Sequence, residues 1–395
     1  MLPLALKNPN FARYAIGSLF NTMSFWVQRL CFGWLSWQLT ESEFWVGVIA
    51  FLLFFPVVIF GPFFGVMADH INRQKTAQRI LFFAVFSLAA LAIVTYNNLT
   101  TIWVLCFFAG VTGLITSAYS PLRMAMVPAL VKQKEISSAV ATTAIIFNIS
   151  RLTGPALAGF MIAWFGVASA LALCALLTIP LILILPRLEF RQRKVDQVTQ
   201  RGLHGLTQGF KYVLRQREII LFLFLSAVIS LFGRGILELL PAFADGLFEK
   251  GSIGLAMMTA AAGLGAIFAG LLLSYLSSEK LVGWSLASLG FLIVAFGMSP
   301  NFNFALVTVV LMGFSITLCG VGTQTMLQLM VEEDYRGRVM SLWGVVGFGG
   351  TAVGGLVLGI VSTSAGLPTT TIASGIACVI GSLPVLYILY RRKSV

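Results

Sequence analysis

The sequence predicts an all-α membrane protein with twelve transmembrane helices in two pseudo-symmetric bundles of six. Three observations predict it. Of 395 residues, 58% are hydrophobic and only 10% charged, whereas a soluble domain carries about 25% charge. The apolar residues gather into runs near the length of helix that crosses a bilayer. One long polar break, "RLEFRQRKVDQVTQRGLHGLTQGFKYVLRQRE" at 187–218, separates six runs from six.

In chain order the spans are expected at 13–38, 44–67, 79–96, 101–122, 138–162, 166–186, 219–243, 252–275, 281–299, 303–326, 338–362 and 367–390. Backbone groups in lipid must be satisfied within the spanning segment, so each run is read as a helix. The short alternating segments of a membrane barrel are absent. The first run is too long for a cleaved signal peptide and carries Arg29, so it should stay in the mature protein. The resulting division is 1–186, a first bundle; 187–218, a basic cytoplasmic linker with a partly helical, membrane-surface pattern; and 219–395, a second bundle.

Orientation is set by the placement of lysine and arginine. With the N-terminus in the cytoplasm, the inner segments hold Lys7, Arg13, Arg73, Lys75, Arg79, Arg123, Lys132, Lys134, the linker bases, Lys280, Arg336, Arg338 and Arg391. Outside, only Lys250 is basic, against Glu41, Glu43, Asp245 and Glu249. The expected location is therefore the cytoplasmic (inner) membrane, multi-pass, with both termini cytoplasmic. The net charge of +12 is assigned to loops facing anionic lipid, so membrane lipid and not nucleic acid is the implied partner.

Enzyme chemistry finds no footing. There is no G-x-x-x-x-G-K-[ST] phosphate loop, and "GLGAIFAG" at 263–270 lies inside an apolar run with no strand before it. The five cysteines all fall within spans and read as small hydrophobes. His70 and His204 both fall in loops, and no metal set or cofactor is expected.

The halves repeat. A shift of 205 residues places Arg29 on Arg234, Gly65 on Gly270 and Lys75 on Lys280; a shift of 200 places Gly154 on Gly354, Gly159 on Gly359 and Gly166 on Gly366. Parallel repeats of this kind put a substrate site between halves near the midplane.

After the second span comes "GVMADHINRQK", in which Gly65, Asp69, Arg73 and Lys75 keep the pattern G-x-x-x-D-x-x-x-R-x-K. A glycine permits close helix approach, and a carboxylate at the membrane edge can accept from a helix N-terminus. The loop resembles the signature of the major facilitator superfamily. Its second-half counterpart, "GLLLSYLSSEK", has Ser274 and Ser278 in place of the aspartate and arginine. The stretches "SPLRMAMVPALVKQKEISSAVATTAIIFNISRLTGPALAG" and "YRGRVMSLWGVVGFGG" resemble the efflux branch that includes the enterobactin exporter. "LTGPALAG" resembles the Gly-Pro motif on helix five of proton-coupled drug exporters; Gly154, Pro155 and Gly159 fit, whereas Ala158 stands where a further glycine is common. The resemblance implies two bundles around a central cavity, lined by helices 1, 4, 7 and 10, that opens to each side in turn. It also implies an ion-gradient-driven carrier, with cargo ranging from siderophores to drugs.

Four charges sit deep in spans: Arg29, Arg151, Arg234 and Glu238. A charge at mid-bilayer costs about 2.5–3.5 kcal/mol on insertion scales, so it faces protein or water and tends to be functional. Asn21 and Gln28 recur at helical spacing on the first span beside Arg29. Asn148, Arg151 and Pro155 share a face of the fifth, and Arg234 and Glu238 are four apart. Two readings stand. In one, Asn21, Gln28, Arg29, Tyr119, Asn148, Arg151 and Arg234 line a cavity for an anionic or polar molecule, and Glu238 takes up a coupling proton. In the other, Arg29 and Arg234 share Glu238 as an outer gate, and Arg151 bonds carbonyls freed by Pro155. The expected function is proton-coupled efflux of a small organic molecule, siderophore-like or drug-like, by a monomer that works by alternating access. The alternatives are an organic-anion importer or exchanger, and a non-transporting membrane sensor or scaffold.

Overall fold

Main-chain polar groups find no water in hydrocarbon, so apolar runs close their hydrogen bonds within the segment. No strand occurs among the described residues. The computed structural model describes residues 4–68, 71–190, 212–273 and 279–391. Its helices are α1 (Pro9–Thr40), α2 (Glu43–Ala68), α3 (Arg73–Tyr96), α4 (Ile102–Ala129), α5 and α6 (together Ile136–Ile184), α8 (Gly251–Leu273), α9 (Glu279–Gly297), α10 (Phe302–Met330), α11 (Glu333–Ala365) and α12 (Leu367–Arg391). The seventh, α7, is composite. It runs as α-helix over Arg217–Val228, π-helix over Ile229–Arg234, α-helix over Gly235–Glu238 and π-helix over Ala242–Leu247.

Nine helices among the described residues are long and apolar enough to cross a membrane. One of them contains both α5 and α6, and Leu281–Gly297 is a shorter apolar helix. With α1, whose hydropathy is diluted by Arg13, Asn21, Gln28 and Arg29, these make the twelve spans. Several helices begin or end outside the apolar runs, as with Arg73 for α3 and Ala129 for α4. Their first turns are fixed by polar caps: Asn72, Thr101 and Asn301 each accept from a backbone N–H three residues on.

Gly166 divides α5 from α6 with φ 80° and ψ 164°, and Gly366 divides α11 from α12 with φ 82° and ψ 149°. Positive φ of this kind is open to glycine at little cost. The repeat read from the sequence therefore recurs as the same bend, at the same place, in each half.

The chain forms two compact units. One comprises the described residues within Met1–Leu39 and Pro56–Gln197, the other those within Thr40–Phe55 and Val198–Val395. In the first unit α3 docks on the end of α6. Gln74 Nε2 donates to the Leu185 and Leu188 carbonyls at 2.6 and 3.2 Å, and Gln78 Nε2 to Ile182 at 3.3 Å. The first helix meets α6 through Ser24 Oγ, which donates to the Cys174 carbonyl at 2.7 Å, and meets α4 through Gln28 Nε2, which donates to Thr112 Oγ1 at 3.1 Å. Interhelical bonds of this sort replace the hydrophobic drive that lipid does not supply.

In the second unit α8 packs on α10, and α9 packs on both α10 and α12. The Thr40–Phe55 portion of α2 lies on α11, with Phe54 and Phe348 stacked at 6.4 Å. Of the expected linker, 191–211 lie outside the described residues; beyond them Tyr212 stacks flat on Tyr335 at 4.2 Å. All five cysteines are free, and no metal-holding group occurs among the described residues.

Candidate functional site

The deep cations are placed by glycines and by one tryptophan. In the first unit, α5 comes so close to α1 that a Cβ on Gly154 would lie 2.6 Å from the Trp26 Cβ. That approach brings both helices' arginines to one indole. The Arg29 guanidinium carbon lies 5.3 Å from the Trp26 ring centroid and that of Arg151 5.7 Å. An aromatic face attracts a guanidinium electrostatically, and tryptophan does so best. Phe25 and Phe147 contact Trp26 edge-on at 5.7 and 5.4 Å. The indole is 5% exposed, and its Nε1–H has no hydrogen-bond partner among the described residues. Two cations and a buried N–H are therefore gathered at one side chain.

Other expected residues lie on α1, α4 and α5. Asn21 and Gln28 are half-buried on α1, and Gln28 is committed to Thr112. Asn148 Nδ2 donates to the Ala144 carbonyl of its own helix at 3.0 Å. Pro155 and Gly159 are buried within α5, which stays helical through the proline. Tyr119 belongs to the buried cluster that holds Phe11, Tyr14, Leu122 and Met126.

In the second unit the repeat is broken where Arg234 sits. Its counterpart Arg29 lies in a regular α-helix, whereas Arg234 ends a π-helical segment. A π turn adds a residue and re-aims the next turns of the helix, and such turns are frequent at functional sites. The Arg234 guanidinium occupies a slot lined by two glycines. A Cβ on Gly320 of α10 would lie 2.7 Å from one terminal nitrogen, and one on Gly347 of α11 would lie 3.6 Å from the other. Glu238 rests its stem against Gly355, where a Cβ would lie 3.5 Å from the Glu238 Cβ. Gly347 and Gly355 are eight residues apart, about 12 Å along α11.

At the signature loop, Asp69 lies outside the described residues. An added Cβ on Gly65 would meet no described heavy atom within 4 Å. Asn72 caps α3, its Oδ1 accepting from the Lys75 N–H at 3.0 Å, with Arg73 half-buried and Lys75 exposed. Trp26, Phe147, Gly320 and Gly347 were not singled out from the sequence. Trp26 carried a signal, since it sits three residues before Arg29 on one helical face. The two glycines, among 38, carried none.

Twelve spans, repeated bends and deep arginines on glycine-lined helices define a multi-pass membrane transporter of the major facilitator type. A family model described as "Transmembrane secretion effector" matches residues 3–393, and the chain belongs to that family; it is not an enzyme. It is 25% identical over 386 residues to the Staphyloferrin A transporter of Staphylococcus aureus (strain NCTC 8325 / PS 47), covering 93% of each. It is 27% identical over 346 residues to the Enterobactin exporter EntS of Escherichia coli O1:K1 / APEC, covering 83% of this chain and 80% of the relative. The crystal structure of the POT family transporter PepTSo matches with a TM-score of 0.76 at 13% identity, covering 98% of each chain, and shares the fold.

Proposed function

We propose that the chain is a proton-coupled exporter of a small organic anion, a monomer working by alternating access in the cytoplasmic membrane with both termini inside. The observation that supports this most is the Trp26 group. Arg29 and Arg151 lie against one indole whose buried N–H has no described partner. Charge-assisted bonds from guanidinium to carboxylate or phenolate oxygen are the strong ones, and arginine supplies them in a planar fork. Relatives named for staphyloferrin A and enterobactin favour a siderophore-like cargo. Asn21, Gln28 and Asn148 supply polar surroundings in the first unit, and Arg234 is the second unit's candidate cation for the cargo. Glu238 takes up the coupling proton. The sequence halves 1–186 and 219–395 alternate, tethered by 187–218. Gly65, Asp69, Arg73 and Lys75, with Gly154, Pro155 and Gly159, serve the conformational change.

The test is flux of enterobactin in everted and right-side-out vesicles under an imposed pH gradient. Accumulation in everted vesicles alone is expected. Glu238→Gln should abolish gradient-driven accumulation while leaving exchange of cargo across the membrane. Undiminished pH-driven flux in that variant removes Glu238 from the mechanism. Accumulation in right-side-out vesicles alone makes the chain an importer.

A further inference from the structure

Two buried phenols at the other end of the first unit lie apart from the Trp26 group. Tyr14 on α1 is 0% exposed and Tyr119 on α4 is 9% exposed. Both belong to one apolar cluster with Phe11, Leu122, Met126 and Val127. Neither hydroxyl has a hydrogen-bond partner among the described residues, so the two do not bond each other. Ser18, one turn after Tyr14 on α1, lies near its hydroxyl without meeting hydrogen-bonding geometry. Arg123 lies one turn beyond Tyr119 on the same face of α4 and is half-buried. Buried hydroxyls in native proteins nearly always find an acceptor. Here two such donors share one buried apolar cluster, and a guanidinium lies one helical turn from one of them.

We infer that Tyr14, Tyr119 and Arg123 form an oxyanion site, a seat for a carboxylate or phosphate group, distinct from the Trp26 cluster. The guanidinium supplies the charge and the two phenol O–H groups donate to the oxygens. An ionised acceptor makes such bonds short and strong, and a carboxylate has lone pairs for all three donors. Twelve residues separate Tyr14 from Trp26, about 18 Å along α1, so one small ligand does not fill both sites. Tyr14 and Arg123 lie near the ends of their helices that adjoin the basic loops. The oxyanion belongs either to a solute arriving from that side or to the headgroup of an anionic lipid. The site stands whether or not the chain is an exporter.

The experiment uses the full chain carrying ζ-13C tyrosine at its eight tyrosines, in phosphatidylcholine nanodiscs, titrated with benzoate. Two resonances should move saturably, and Tyr14→Phe and Tyr119→Phe should each delete one of them. Arg123→Gln should weaken benzoate at least about tenfold, the effect of losing one charged hydrogen bond. Arg123→Lys should keep part of the affinity, and Arg29→Gln should leave it unchanged while altering any flux that depends on the Trp26 cluster. Replacing part of the lipid with phosphatidylglycerol separates the sources. If the same two resonances move without benzoate and benzoate then competes, the occupant is lipid; if they stay, it is a solute. Resonances of Tyr14 and Tyr119 that never shift, or that shift equally in Arg123→Gln, overturn the site.

Discussion

Gly154→Ala tests the placement of the arginine pair by the smallest change available. The added methyl would sit 2.6 Å from the Trp26 Cβ, with the Met23 carbonyl and Val27 nitrogen at 3.5 and 3.6 Å. Carbon atoms pack best about 3.5–4.0 Å apart, so α5 must back away from α1 by about 1 Å. Overpacking of this kind costs about 1–3 kcal/mol. The obstacle is a Cβ, which every residue except glycine possesses, and so it cannot rotate out of the way. Trp26→Ala should therefore leave the Gly154→Ala penalty intact, whereas Trp26→Gly should relieve it. The assay is a pair of double-mutant cycles on purified protein, read by reversible unfolding in mixed micelles. A coupling of about 1–3 kcal/mol is expected for the glycine cycle and near zero for the alanine cycle. Flux should fall with Gly154→Ala, because Arg151 moves away from the ring that Arg29 also uses. Equal coupling in both cycles, or a Gly154→Ala protein of unchanged stability and flux, would refute this packing as the cause.

Three further outcomes are expected from the same geometry. Gly320→Ala meets only the far end of the Arg234 side chain; the guanidinium rather than the helix should give way, so the stability loss should be smaller than that of Gly154→Ala, while the apparent KM for an anionic cargo rises in vesicle flux, and an unchanged KM would mean the slot does not position Arg234. Trp26→Phe keeps an aromatic face but a weaker one, so the coupling of position 26 to Arg29, measured in a double-mutant cycle with Arg29→Gln, should shrink from its wild-type value of about 0.5–2 kcal/mol; a coupling of zero in the wild-type background would show that the cation–π contact contributes nothing. At the α4–α5 connection, the Lys132 backbone N–H donates to Glu135 Oε2 at 3.0 Å and holds the Glu135 carboxyl below its ordinary value of 4.5, assisted by Asn8 and the charges of Lys132 and Lys134. A depressed folded value means the turn is favoured when the acid is ionised. That contribution is present above the unfolded pKa and lost as pH falls through the folded one; a carboxyl 13C titration with its midpoint at or above 4.5 would contradict it.

The sequence alone determined the fold class, the number of spans and their order, because lipid makes hydropathy a nearly complete account of where a backbone can lie. It also determined the repeat, since Gly166 and Gly366 must be glycine to make their bends. Arg29, Arg151, Arg234 and Glu238 were legible for a related reason: a charge in an apolar run has few explanations. What the tertiary structure decided is which partner each one meets. That Arg29 and Arg151 share Trp26, and that Arg234 threads between Gly320 and Gly347, depends on how closely particular helices approach. Glycine and small-residue contacts set that approach, and they are too common in membrane helices to be told apart in sequence. The π turns of α7 were likewise invisible, because an extra residue in a helical turn is chosen by its neighbours' packing and leaves the hydrophobic pattern unchanged.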